Sequence, residues 1–188
     1  MTATTTLPTR RKLDVDAYHR MAEVGIFGAD ERVELIDGEI YQMVPIGSEH
    51  GSVTSSLVQR FVLALRERAF VTGSMPLRLD RLNEPEPDVL LLRPRADRYR
   101  DALPGPADVL LVVEVAKSSL DYDRSVKAPL YAAAGVAELW IVDLVHACIQ
   151  VHREPAAHGY GRIDAHATGT LAPAALAIAR VDVDDVFA

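Results

Sequence analysis

The chain has little of what marks several protein classes. It holds one cysteine, Cys148, among 188 residues, so no intrachain disulfide can form and a reducing, cytoplasmic setting is expected. No apolar run approaches the roughly 18 to 20 residues that a membrane helix needs. The opening stretch, MTATTTLPTRRKLDVD, carries cations but no apolar segment after them, which is unlike a secretory signal. We therefore expect no membrane partner.

Positive charge is also scarce. The 20 Lys and Arg residues face 27 Asp and Glu residues, which gives a formal net charge of -7. A large nucleic-acid footprint needs clustered cations, so this balance argues mildly against one, although a bound metal would reverse the sign of an acidic site. The best basic segment has four arginines, diluted by Asp97 and Asp101: Arg93, Arg95, Arg98 and Arg100.

What the chain does have is enough apolar sequence for one substantial core. Hydrophobic residues make up 49% and charged residues 25% of the sequence. We predict a flexible tail over residues 1–12, polar and rich in threonine, followed by a single domain over residues 13–188.

The N-terminal half predicts two helices with a hairpin between them. The segment DVDAYHRMAEVG fits a short amphipathic helix that ends at Gly25. In ERVELIDGEIYQMV, Asp37-Gly38 is the favoured two-residue turn of a β-hairpin. A longer helix is predicted over residues 48–69, where apolar residues recur at helical spacing.

The C-terminal part alternates strands with one more helix. Residues 75–80, MPLRLD, are predicted to pair with the strand over residues 87–94. A central buried strand covers Val109 to Ala116, and the helix after it contains Pro129, which must kink it or begin its second half.

Two further strands are expected in ELWIVDL and ACIQVHRE, and these pair antiparallel. Residues 155–170 read as a loop flanking an edge hairpin, and the tail ends on a small helix or strand. Helices are too few for a doubly wound sheet, so we predict an α/β fold with a mixed β-sheet flanked by helices.

Two acidic residues lie in or beside apolar strands, where few neighbouring residues in the sequence can pair with a carboxylate. Glu114 falls inside the central strand, where an ionised carboxylate needs a cation, a metal or hydrogen-bond donors. Asp88 stands at the start of the neighbouring strand; alone it could simply bond nearby backbone. Two carboxylates close together repel unless a cation lies between them, and oxygen-rich sites suit Mg²⁺ or Mn²⁺.

Two lysines compete for a place beside these acids. Lys117 is nearer in sequence, but strand alternation points it away from Glu114. Lys127 lies on the following helix, which crosses back over the sheet, and we prefer it. The simpler explanation of Lys127 is a solvated helix lysine paired with Asp123, four residues earlier.

The stretches PDVLLL and VVEVAKSSLDYDRSVKAPLYAAAGVAELWIVDL together resemble the Uma-type restriction endonuclease family of the PD-(D/E)XK nuclease superfamily. The segment ERVELIDGEI, followed by His50 at a helix start, is similar to the N-terminal half of that family. Ala116 stands where the superfamily carries a strand lysine, with Lys117 next to it, so the position of the active-site lysine differs from the superfamily pattern.

The resemblance implies a restriction-endonuclease-like core and a metal-dependent endonuclease acting on DNA. Asp88 and Glu114 would bind Mg²⁺ or Mn²⁺ together with the Val115 carbonyl, Lys127 would be the lysine moved from strand to helix, and Glu34 would be an additional acid. A direct catalytic role for His50 is weaker, since a histidine at a helix start commonly serves as a local hydrogen-bonding residue.

Two functions from different classes follow. One is metal-dependent hydrolysis of DNA, favoured by the two acids and the lysine. The other is a non-catalytic protein that keeps the nuclease fold for binding or assembly, favoured by the acidic balance. A homodimer is expected in either case, because two-fold dimers are the commonest assembly and suit a duplex.

Overall fold

The computed structural model describes residues 9–28 and 30–188, so most of the predicted flexible tail lies outside the described residues. The first helix, α1, covers Val15–Glu23 and begins at Asp14, whose carboxylate accepts a hydrogen bond from the backbone N–H of Ala17. No helix in the described ranges is long and apolar enough to cross a membrane.

The predicted hairpin is present. Strand β1 (Val33–Ile36) pairs antiparallel with β2 (Glu39–Gln42) in a small sheet of their own. Asp37 and Gly38 form the turn with φ angles of 49° and 73°, and a Cβ at Gly38 would come within 2.6 Å of the Lys12 side chain. Glycine is therefore required at the second turn position both by its φ angle and by space.

Over the residues that the structure describes, the main sheet has six strands in the order β3-β4-β5-β6-β7-β8. Of these six strands, β5 and β6 run parallel to each other, and the other neighbouring pairs are antiparallel. The strands are β3 (Phe70–Gly73), β4 (Val89–Leu92), β5 (Val109–Ala116), β6 (Glu138–Asp143), β7 (Cys148–Ala156) and β8 (Gly159–His166). This is the predicted mixed α/β architecture, and β5 has the predicted bounds.

Helices cover the two faces of this sheet. Helix α2 (Ser48–Leu65) packs on one face, with Leu57 and Phe61 against residues such as Val113 of β5. The opposite face is covered by a helical stretch of three consecutive segments: α3 (Leu120–Tyr122), a π-helical turn (Asp123–Lys127) and α4 (Ala128–Ala133). Because strand residues alternate between faces, β5 contributes to both cores.

Two predictions for the sheet were wrong. Residues 75–80 are not a strand: Leu77 and Leu79 are buried as their alternation predicts, but their backbone N–H groups bond to Pro85 and Asn83 rather than to a partner strand. The β-branched stretch at Phe70–Gly73 pairs with β4 instead. The edge hairpin predicted near residues 155–170 is present, but residues 159–166 are not loop: they form β8, which pairs with Ile149–Ala156 of β7.

The chain ends on a short two-stranded sheet and a 3₁₀ turn, as predicted. Strands β9 (Thr170–Leu171) and β10 (Val181–Asp182) pair antiparallel, and the 3₁₀ turn covers Asp184–Val186. Val181 and Val183 are fully buried in the core beneath α2.

Candidate active site

A buried ammonium lies between two buried carboxylates on the α4 side of the sheet. The Nζ atom of Lys127 is 3.0 Å from Oε1 of Glu114 and 3.3 Å from Oε2 of Glu34. All three side chains are at most 5% exposed. The sheet, the helical stretch and the N-terminal hairpin each supply one of these groups, so three distant parts of the sequence meet here.

The local geometry of the helical stretch explains why Lys127 points inward. The π-helical turn, Asp123–Lys127, widens the helix over one turn, and both of its end residues are buried. Such turns interrupt α-helices mostly at functional positions. Pro129 then occupies the first turn of α4, directly after the π-helical turn. The proline thus begins the second half of the helix, which is one of the two predicted alternatives.

Asp88 lies at the start of β4, next to the strand that carries Glu114. Its Oδ2 atom accepts a hydrogen bond from the backbone N–H of Val115 at 2.8 Å and contacts Nε2 of His50 at 3.1 Å. His50 is in the first turn of α2, and its Nδ1 atom is buried without a hydrogen-bond partner in the described part of the chain. The bond to Asp88 raises the pKa of His50 above its ordinary value.

The carboxylates are held in a way that disfavours their charge. Burial raises the pKa of Glu114 to about 8, and the charges of Asp123 and Asp88 act in the same direction, against the attraction of Lys127. Burial likewise raises the pKa of Asp123 to about 6. The site therefore contains more buried acid than its single lysine can neutralise.

Lys127 stays protonated in this environment. Its burial alone would lower its pKa, but Glu114, Glu34 and Asp123 outweigh that effect and raise the pKa above the ordinary lysine value. The hydroxyl of Tyr131 donates to Oε1 of Glu114 at 2.6 Å. These neighbours favour the ammonium form of Lys127 near neutral pH.

The carboxylate oxygens of the site are of the type that binds a hard divalent cation, but their side chains are not grouped around a single point. Among the residues the structure describes, no three His, Cys, Asp or Glu side chains are placed together as a metal-binding group. However, both bonds to Asp88 fall on Oδ2 and both contacts of Glu114 fall on Oε1, which leaves one oxygen of each carboxylate for another partner. Oxygen ligands with excess negative charge match Mg²⁺ or Mn²⁺.

Of the two candidate lysines, only Lys127 contacts the acids. The Lys117 side chain is 62% exposed, and its Nζ lies 2.6 Å from Glu49 on α2. Strand alternation thus predicted the direction of Lys117 correctly. The simpler explanation of Lys127 as a solvated lysine paired with Asp123 was wrong, because Lys127 is buried and its ion-pair partners are Glu114 and Glu34.

Sequence reasoning missed three groups at this site. Asp123 is 4% exposed and is held by the hydroxyl of Ser119 at 2.7 Å. Tyr122 donates to Oε1 of Glu34 at 3.2 Å, and Tyr131 donates to Glu114. The available signal was spacing: Asp123, Lys127 and Tyr131 recur every four residues, which places all three on one face of a helix.

Comparison with solved structures shows the same fold in a protein described as a putative nuclease belonging to DUF820 from Anabaena variabilis. The match has a TM-score of 0.71 at 13% sequence identity and covers 93% of this chain and 97% of that one. Comparison with curated proteins gives no significant match. The sequence matches the Uma2 family, described as "Putative restriction endonuclease", over residues 15–183. Since this match spans nearly the whole chain, the protein belongs to the Uma2 family.

Proposed function

We propose that the protein is a metal-dependent endonuclease that hydrolyses phosphodiester bonds of DNA with Mg²⁺ or Mn²⁺. Family membership and fold both support a nuclease. The observation that carries the proposal is the buried group formed by Lys127, Glu114 and Glu34 beside Asp88. The fold could form without this buried group, because burying charged side chains costs free energy. Such groups are found most often at functional sites.

Asp88, Glu114 and the Val115 carbonyl are the proposed ligands. Tyr131 and Lys127 hold one oxygen of Glu114, while His50 and the Val115 N–H hold one oxygen of Asp88. Each carboxylate is therefore oriented before an ion binds, which is what hydrogen bonds to metal ligands provide. When bound, the ion would polarise the phosphodiester and lower the pKa of a coordinated water.

The protonated state of Lys127 decides its role. Its raised pKa favours the ammonium form near neutral pH, so Lys127 would stabilise negative charge that develops on the reacting phosphate. Glu34 contacts this ammonium through Oε2 and receives a hydrogen bond from Tyr122 on Oε1. Glu34 is accordingly a positioning residue for the lysine rather than a proposed metal ligand.

A non-catalytic role in binding or assembly is the second candidate. One specific observation favours it: the Lys127 ammonium already neutralises Glu114, so the acids have a cation without a metal. The acidic net charge of -7 favours it as well. In this case the ion pair would stabilise the fold, and no divalent ion would change the stability of the protein.

We also propose a homodimer, because a two-fold assembly would present one site to each strand of a duplex. Sedimentation of the protein with and without duplex DNA measures this directly.

A cleavage assay tests the main proposal. Supercoiled plasmid and linear duplex are incubated with the wild type and with Glu114→Gln, Asp88→Asn and Lys127→Met variants, in Mg²⁺, in Mn²⁺ and in EDTA. We expect nicking or linearisation by the wild type only with metal, and at least about a hundredfold loss in each variant. Lys117→Met, which changes an exposed lysine outside the site, is the matched control and should cleave like the wild type. Absence of cleavage by the wild type, with no metal-dependent rise in its melting temperature, would favour the non-catalytic alternative.

A further inference from the structure

At the end of β4 away from Asp88, three arginines line a cleft of about 300 Å³. Arg66 comes from the end of α2, and Arg95 and Arg98 come from the loop after β4. Phe70 and Val71 of β3 form part of its apolar lining. We call this feature the arginine cleft. The arginines come from segments nearly 30 positions apart, so the sequence alone did not show that they meet.

Arg95 is the fixed member of the arginine cleft. Its guanidinium makes two bonds to Asp97 at 2.6 and 2.8 Å and a third to the Ala102 carbonyl. It also lies over the ring of Tyr99, 4.0 Å from the centroid. In the sequence, Asp97 is expected to offset the positive charge of the neighbouring arginines. In the structure its carboxylate accepts hydrogen bonds from Arg95 and from backbone N–H groups, and the bond from Arg95 lowers its pKa to about 2.

Arg66 and Arg98 are the members available to a ligand. Both are exposed, and within the described part of the chain neither forms an ion pair or a side-chain hydrogen bond. Both also have positive φ angles, 50° for Arg66 and 51° for Arg98, which non-glycine residues seldom adopt. Among the described residues that line the cleft, Glu67 is the one acid, so the cleft carries a surplus of positive charge in a chain of net charge -7.

From these observations we infer that the arginine cleft binds the phosphodiester backbone of duplex DNA at a distance from the acidic site. The inference rests on the proposed function for the identity of the ligand. Guanidinium groups bind phosphate oxygens through paired N–H donors, and a cleft with fixed and free arginines can accept a curved anionic backbone. An acidic nuclease needs such a place, because the metal site by itself offers little to steer a polyanion.

The acidic site and the arginine cleft lie near opposite ends of β4. Asp88 and Pro94 flank this strand six residues apart, which at about 3.3 Å per residue is roughly 20 Å. One strand of B-DNA carries a phosphate about every 3.4 Å along the axis, so a span of that length corresponds to about six base pairs. A duplex of about 20 base pairs is therefore long enough to contact both places.

Binding without metal tests the inference independently of cleavage. Anisotropy of a labelled duplex of about 20 base pairs is measured in EDTA across a salt series, for the wild type and for Arg66→Gln/Arg98→Gln. We expect the double variant to bind at least about tenfold more weakly at low salt and the slope of log K against log salt to fall by about two. Arg66→Lys/Arg98→Lys keeps the charges and should retain that slope.

The matched control removes two arginines elsewhere. Arg81 and Arg162 are exposed and paired with Asp14 and Asp164, and Arg162 lies on β8 at the opposite edge of the sheet. Arg81→Gln/Arg162→Gln changes the net charge equally and should leave the slope unchanged. Equal losses in the two Gln double variants, or no binding by the wild type, would overturn the inference. Retained, cleft-dependent binding by a wild-type protein that cleaves DNA with neither Mg²⁺ nor Mn²⁺ would count against the proposed function alone.

Discussion

Lys127 and Glu114 form an ion pair that is almost completely removed from solvent, with 3.0 Å between Nζ and Oε1. The corresponding pair of Lys117 and Glu49 has a similar separation of 2.6 Å, yet both of its side chains are at least half exposed. In an exposed pair, each charged group can bond to water when its partner is lost, so the pair contributes little to the free energy of unfolding. The buried pair has no water to replace a lost partner, so its members depend on each other.

The first prediction concerns this dependence. Lys127→Met leaves Glu114 and Glu34 buried without their cation, so each acid must either stay ionised or take up a proton that it lacks in the unfolded chain. Both routes disfavour folding, and we expect the free energy of unfolding at pH 8 to fall by about 3–5 kcal/mol. Lys117→Met removes an exposed charge and should change it by less than about 1 kcal/mol. Urea denaturation of both variants measures the difference.

A second variant separates the buried charge from the loss of packing. In Lys127→Met/Glu114→Gln the acid is neutral, so part of the stability should return, by about 1–3 kcal/mol relative to Lys127→Met. If Lys127→Met and Lys117→Met were equally stable, the buried pair would not have the energetic role that we assign to it.

The second prediction concerns Asp123, whose buried carboxylate adds negative charge near Glu114. Asp123→Asn keeps an acceptor for the Ser119 hydroxyl but removes the charge. We expect the variant to be more stable than the wild type at pH 8 by about 1–2 kcal/mol, because a poorly compensated buried charge is gone. The same change should weaken Mn²⁺ binding about tenfold, since the cation loses part of its attraction.

Calorimetric titration with Mn²⁺ and urea denaturation provide the two measurements. Asp121→Asn is the control, because Asp121 is exposed and two residues away on the same helical stretch. If Asp123→Asn were more stable but bound Mn²⁺ as tightly as the wild type, the charge of Asp123 would not contribute to binding the ion.

Hydrophobic patterns in the sequence predicted the strands that carry the site better than the side-chain contacts within it. The run Val109–Ala116 predicts a buried strand because every residue in it except Glu114 is apolar, and the same contrast marks Glu114 as a candidate site residue. Pairing of short segments was harder. Leu77 and Leu79 are buried, as their alternation with polar residues predicts. The alternation does not show, however, that their backbone N–H groups bond to loop residues instead of a strand.

The contacts of the site required three-dimensional information. Nothing in the sequence places Glu34 of the hairpin beside Lys127, 93 positions later; the resemblance to the family suggested an extra acid but not its partner. The π-helical turn was also invisible, because its residues are compatible with an ordinary α-helix. Metal ligation and the role of each acid stay predictions until an ion is titrated.

The third prediction concerns His50, which contacts the site through its hydrogen bond to Asp88. In His50→Gln the amide can still contact Asp88, but it cannot become positively charged and is not held in the same orientation. We expect Mn²⁺ affinity to fall about 10- to 100-fold, as is typical when a residue that orients a metal ligand is replaced. Glu49→Gln, at the neighbouring and exposed position, should alter affinity less than threefold; an equal effect of both variants would assign the loss to the overall charge of the helix start.

The fourth prediction uses His152, which lies on β7 far from the acids in sequence and is 3% exposed. Burial lowers its pKa from 6.5 to about 4, with a further contribution from the charge of Arg124, and its Nε2 atom has no hydrogen-bond partner in the described part of the chain. Between these two pH values the unfolded chain binds a proton that the folded protein does not. Stability is therefore lost as the pH falls from about 6.5 to about 4, by on the order of 3 kcal/mol from this residue.

His152→Phe removes the titrating group while keeping a ring that can pack edge-on against Tyr160, 5.6 Å away. At pH 8 histidine is neutral in both states, so the two proteins should differ only by the packing of the new ring. Measured by urea denaturation at a series of pH values, the stability of the variant relative to the wild type should rise steadily as the pH falls from 6.5 to 4. A constant difference over that range would show that His152 takes up its proton as readily in the folded protein as in the unfolded chain, because only unequal proton binding makes the difference depend on pH.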